Sequence, residues 1–99
     1  MGIELVDERY VQESGAMIST VRKGSPAAIA GLKGLTKTRN GRFLAGDIIK
    51  AIDDIKIQSN ENLIETLEGY KPNDKIRVTF LRDDKLYEAD LELISTFNK

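Results

Sequence analysis

The 99-residue chain contains no histidine and no cysteine. Without them it cannot assemble a Ser-His-Asp triad, a Cys-His pair, a disulfide, or a zinc site of imidazole and thiolate ligands. An autonomous hydrolase of those types is excluded. The lack of cysteine is compatible with either redox compartment. No apolar run approaches the roughly 18 residues of a membrane-spanning helix, and the first residues lack the basic-then-apolar pattern of a signal peptide. Charge of one sign is missing as well. Fifteen Lys plus Arg stand against 16 Asp plus Glu, a net charge of -1, so no overall basic field attracts nucleic acid or anionic lipid.

What remains, 40% hydrophobic and 31% charged residues, is the composition of a globular chain with one modest core. A single domain over residues 1–99 is expected, with no internal repeat and no linker to divide it. Gly2-Ile3-Glu4-Leu5-Val6 reads as a short strand that ends at the polar stretch Asp7-Glu8-Arg9. After Gly15, the β-branched and apolar run from Ala16 to Val21 predicts a buried strand. Ser25-Pro26 then opens a short helix that Gly31 closes, with Ser as N-cap and Pro at the first helical position. From Lys33 to Gly46 periodicity is weak. A protruding loop is expected there, with Asn40-Gly41 marking a tight turn.

Asp47 to Ile52 and Ile55 to Ile57 read as strands. Asn60 is placed to cap a second helix in which Leu63, Ile64 and Leu67 share one face and Gly69 is the terminator. After the turn at Pro72-Asn73-Asp74, apolar residues alternate from Ile76 to Phe80 and from Tyr87 to Leu93. Asp83-Asp84 joins the two runs as an antiparallel hairpin. The fold expected is α+β, mainly β: a five- to six-stranded, partly open antiparallel barrel or sandwich with two helices. Such a sheet has edges, and an edge beside a helix can receive an added strand.

The combination Gly24-Ser25-Pro26-Ala27-Ala28, Ala30-Gly31-Leu32, Gly46-Asp47-Ile48-Ile49 and Ala51-Ile52-Asp53, with the run Ala16 to Val21 before it, resembles a PDZ domain. More narrowly it resembles those of the HtrA/Deg family of serine proteases, over nearly the whole chain. The resemblance implies the bacterial, permuted order of strands, in which the last strand fills the place an N-terminal strand holds in many animal PDZ domains. It also implies a site. A glycine-containing loop, matched here by Met1, Gly2 and Ile3, presents backbone N–H groups to the terminal carboxylate of a peptide, and such a run of N–H groups forms an anion-binding nest. The peptide then pairs with Ile3, Glu4, Leu5 and Val6 against the second helix.

Matching that helix to the family implies that Asn60, Ile64 and Leu67 look into the groove with Leu63 turned to the core, and the i, i+4, i+7 rule puts the three on one face. Leu67 and Leu5 have an alternative as plain core residues. Asn60 either meets the third-last side chain of a peptide or caps its own helix, and the preference of Asn for N-cap positions favours the cap. It stands where many PDZ domains carry histidine. Relatives also carry residues before the glycine, so the chain is expected to begin inside the carboxylate loop or to have Met1 in place of a native residue.

Lys33, Lys37, Arg39 and Arg42 make the long loop locally basic, but a nucleic-acid role is poorly supported with so few aromatics. Asp53-Asp54 and Asp83-Asp84 lack the spaced ligands of a calcium loop and read as turn residues. No catalytic residue, metal or cofactor is expected. The function implied is peptide recognition for an HtrA/Deg-like protease, with protein C-termini, unfolded segments and the protease domain as partners, no nucleic acid, and membrane contact only through the parent. That parent is expected outside the cytoplasm or in an organelle. A PDZ domain of another parent, such as a Lon-like or site-two-type membrane protease or a secretion component, is the alternative.

Overall fold

Ile76, Val78 and Phe80 alternate with Arg77, Thr79 and Leu81, and only the first three are buried in the computed structural model, which describes residues 2–11 and 13–93. The same period-2 logic runs through the sheet. Its strands are β1 (Ile3–Leu5), β2 (Ala16–Val21), β5 (Ile48–Ile52), β6 (Ile55–Lys56), β7 (Lys75–Arg82) and β8 (Lys85–Glu92), joined antiparallel in the order β1-β2-β5-β7-β8 with β6 beside β5. Two further short strands, β3 (Thr36–Lys37) and β4 (Phe43–Leu44), pair with each other outside this sheet. The sheet is open rather than closed into a barrel, and the last strand lies at the edge opposite β1.

The helices α1 (Pro26–Ile29) and α2 (Asn60–Glu68) are short. Ser25 caps α1 as expected, its hydroxyl accepting the Ala28 N–H at 3.2 Å. The core gathers Ile18, Ile49, Ile52, Ile57, Leu63 and Val78, each no more than 1% exposed. Each such side chain contributes roughly 1.5–3 kcal/mol relative to exposure.

One expectation needs correction and two gain detail. Ser59, not Asn60, caps α2: its hydroxyl accepts the Asn62 N–H at 3.0 Å. Both residue types suit the position, and the tertiary use of Asn60 described below decides between them. The polar stretch after β1 is a 3-10 turn, Glu8–Tyr10, whose N-cap Asp7 accepts the Arg9 N–H. The segment from Lys33 to Gly46 is a hairpin with a fixed base: the Leu35 N–H bonds to Ser19 O at 3.0 Å, and Thr38 N–H to Arg42 O at 2.7 Å. A Cβ on Gly34 would lie 2.4 Å from Ser19 O, and one on Gly46 2.1 Å from Ile18 O, so only glycine lets both arms of the hairpin press against β2.

Asp47 does accept a backbone hydrogen bond, from Lys33 N–H at 2.8 Å, and the structure adds a partner that spacing did not reveal. The Arg82 guanidinium grips the buried carboxylate through Nε and Nη2, each at 2.7 Å, and also donates to Gly31 O at 2.9 Å. Bidentate pairing of this kind is strong and directional. It ties the end of β7 to the start of β5 and the end of α1. The two aspartate pairs sit in turns: Ile52 faces Ile55 and Arg82 faces Lys85 in register, with positive φ at Asp53, Asp83 and Asp84. Aspartate tolerates that region better than most residues.

Candidate peptide-binding groove

Among the described residues β1 pairs with β2 alone, so its outer rim of backbone N–H and C=O groups carries no described strand. That rim faces α2. Gly2, Ile3, Glu4 and Leu5 on one side and Asn60, Leu63, Ile64 and Leu67 on the other line a groove of about 490 Å³. The structure therefore places Gly2, Ile3, Glu4, Leu5, Asn60, Ile64 and Leu67, which the resemblance assigned to the site, along one groove. Met1 lies outside the described residues.

The helix and strand run in opposite senses. The Asn60 Nδ2 donates to Val6 O at 2.8 Å, so α2 begins beside the end of β1 and proceeds back towards Ile3 and Gly2. Val6 lies just beyond β1 and contributes this carbonyl rather than a strand position. Leu63 is in the core at 1% exposure, yet it also forms the floor of the groove. Ile64 is 55% exposed, an apolar side chain with water on one side. Leu67 and Leu5 do both jobs that the sequence left open: each packs against the core while lining the groove.

At one end of the groove Gly2 has φ +78, and a Cβ there would lie 2.3 Å from the Ser25 Cβ. Only glycine fits this left-handed, crowded position. Its carbonyl accepts the Arg22 N–H at 2.7 Å, which holds the start of β1 against the end of β2. At the other end Asn60 carries a buried Oδ1 with no hydrogen-bond partner among the described residues. Its backbone N–H is taken by the Glu8 carboxylate at 2.7 Å. Glu8 was missed at the sequence level. The signal was Asp7, a good N-cap immediately before Glu8-Arg9-Tyr10, and the Arg9 hydrogen bonds hold the Asp7 carboxyl below its ordinary pKa.

An edge strand with a free rim, set beside a helix that offers apolar side chains to the gap, is a geometry that leaves room for an added strand. The chain belongs to the PDZ domain family, whose profile matches residues 1–93. It is 35% identical over 79 residues to the serine protease Do-like HtrA of Lactococcus lactis, a match that covers 80% of this chain and 17% of that protein. The HtrA-type protease AlgW, solved with a decapeptide, superposes with a TM-score of 0.68 at 22% identity, covering 92% of this chain and 27% of AlgW. An aminopeptidase N family protein from Idiomarina loihiensis has the same fold in part of its chain, with a TM-score of 0.71 at 24% identity over 94% of this chain and 13% of that one.

This chain thus spans about a sixth of the length of the Lactococcus relative. It is a PDZ domain related to those of HtrA proteases, a class of protein- and peptide-binding module that is not itself catalytic.

Proposed function

We propose that the groove between β1 and α2 binds the C-terminal or exposed apolar segments of other proteins by strand addition, directing or regulating a protease of the HtrA/Deg type. The observation that carries this reading is the unpaired outer rim of β1 facing Ile64 and Leu67 across an open groove. The peptide carboxylate would sit at the Met1-Gly2-Ile3 end, where Gly2 takes the left-handed backbone that a glycine-containing anion-binding nest needs. The terminal side chain would enter between Ile3, Leu5, Ile64 and Leu67. An affinity on the order of micromolar suits such a transient contact. The partners are protein C-termini, unfolded segments and a protease domain, and any membrane contact belongs to the parent.

The test is an NMR titration with peptides that end in a free apolar carboxylate. Shifts are expected from Gly2 to Val6 and from Asn60 to Leu67, weakened when the peptide is amidated. Shifts gathered at Lys33 to Arg42 instead would make the basic hairpin the working surface and refute the groove. The Idiomarina aminopeptidase relative favours one second reading, the same module serving a parent other than HtrA as an interaction adaptor.

A further inference from the structure

The pattern of charge around the groove narrows the peptide. Ile3 and Leu5 pack against the core, and Glu4 between them is exposed, so its carboxylate stands on the opposite face of β1. Its cross-strand neighbour on β2 is Thr20, a neutral residue, and among the described residues Glu4 enters no ion pair. Cation-bearing Arg22 follows β2 at the Gly2 end of the groove, where a peptide carboxylate would lie. The α2 residues that line the opposite wall are uncharged, and the charges elsewhere on that helix and at its start are all negative. α2 carries Glu61, Glu65 and Glu68 and no lysine or arginine, and Glu8 sits at its start.

We propose that the groove selects peptides that end in an apolar residue and carry lysine or arginine at the penultimate position, with Glu4 as the residue that reads it. The inference rests on the strand-addition reading. Side chains alternate along an added strand, so a terminal residue directed into the apolar pocket turns the penultimate one outward, onto the face where Glu4 stands. Opposite charges facing across neighbouring strands attract, and like charges repel. A terminal carboxylate near Arg22 and a cation over Glu4 match the two signs in the order the groove presents them.

The experiment measures fluorescence anisotropy of the 99-residue chain with three synthetic peptides that share an apolar free-carboxylate end and differ in Lys, Ala or Glu at the penultimate position. At low ionic strength the Lys peptide is expected to bind about two- to fivefold tighter than the Ala peptide, and the Ala peptide tighter than the Glu peptide. High salt should compress the order. Glu4→Lys should invert it, and Glu4→Gln should flatten it. An order that survives Glu4→Lys unchanged removes Glu4 from the proposal. Equal binding of all three peptides overturns the charge selection and leaves the groove reading standing; no binding of any sinks both.

Discussion

Asp47 is a buried carboxylate, 2% exposed, held by one backbone N–H and one guanidinium. Removing it leaves Arg82, itself partly buried, facing a gap without its counter-charge. Asp47→Ala should therefore cost about 3 kcal/mol, measured by urea unfolding, because breaking such a pair strands the partner. The loss should exceed that of any exposed ion pair in the chain, such as Arg77 with Asp90. A second residue-scale link joins Asp53 to Tyr70. The Tyr70 hydroxyl donates to the Asp53 carboxylate at 2.6 Å, which holds the aspartate below its ordinary 3.8 and pushes the phenol up to about 12. The signs follow from the directions. The depressed Asp53 contributes stability above pH 3.8 that is lost as pH falls through its folded value, and the raised Tyr70 contributes stability below pH 10 that is lost as pH rises through about 12. In Tyr70→Phe, the Asp53 carboxyl followed by NMR should titrate closer to 3.8, and an unmoved value would deny the link.

Among the elements, the β3–β4 hairpin is bound to the rest of the molecule at its base and, among the described residues, pairs with no other strand. Replacing residues 37–43 with a two-residue turn should leave the fold and the groove unchanged by backbone NMR, since the contacts of Gly34, Leu35 and Gly46 with β2 remain. The β7–β8 turn behaves differently. Asp83 and Asp84 both sit at positive φ, the backbone of a type I′ turn, where Asn-Gly is the favoured pair. Substituting Asn-Gly there should stabilise the domain by up to about 1 kcal/mol in urea unfolding.

This turn was legible in the sequence because two alternating runs flanked two adjacent aspartates. So was α1, because Ser, Pro and Gly stand at its start and end. The cap of α2 was not, since Ser59 and Asn60 are equally good caps and only the contact of Asn60 with Val6, 54 positions away, separates them. The β3–β4 pairing was hidden by its shortness. Two-residue strands carry no periodicity to read, and only the Asn40-Gly41 turn showed through. In the groove, the family resemblance pointed to Ile64 and Leu67, and their spacing along α2 agreed because both lie on one helix face. Glu8 escaped because its role depends on where α2 begins in space.

Seen as one molecule, the domain separates the residues that hold it up from those that line the open groove, and the separation falls between neighbours in sequence. Leu63 is enclosed in the core, whereas Ile64 looks into the groove half-exposed. Leu63→Ala should cost about 2–5 kcal/mol of stability, the usual range for a buried leucine. Ile64→Ala should change stability by no more than about 0.5 kcal/mol while weakening peptide binding roughly five- to tenfold, because its apolar surface is covered only when a peptide lies on it. The same logic couples binding back to the fold. A peptide present at ten times its Kd adds RT ln 11, about 1.4 kcal/mol, to the folded state, and for a domain of this size that raises the Tm by roughly 5–10 °C. The shift should shrink with the amidated peptide if the Gly2 end binds the carboxylate, and it should shrink in Ile64→Ala at equal peptide concentration. A thermal scan in which Ile64→Ala keeps the full shift would mean that the peptide lies elsewhere on the surface, and that the open rim of β1 is guarded by α2 rather than served by it.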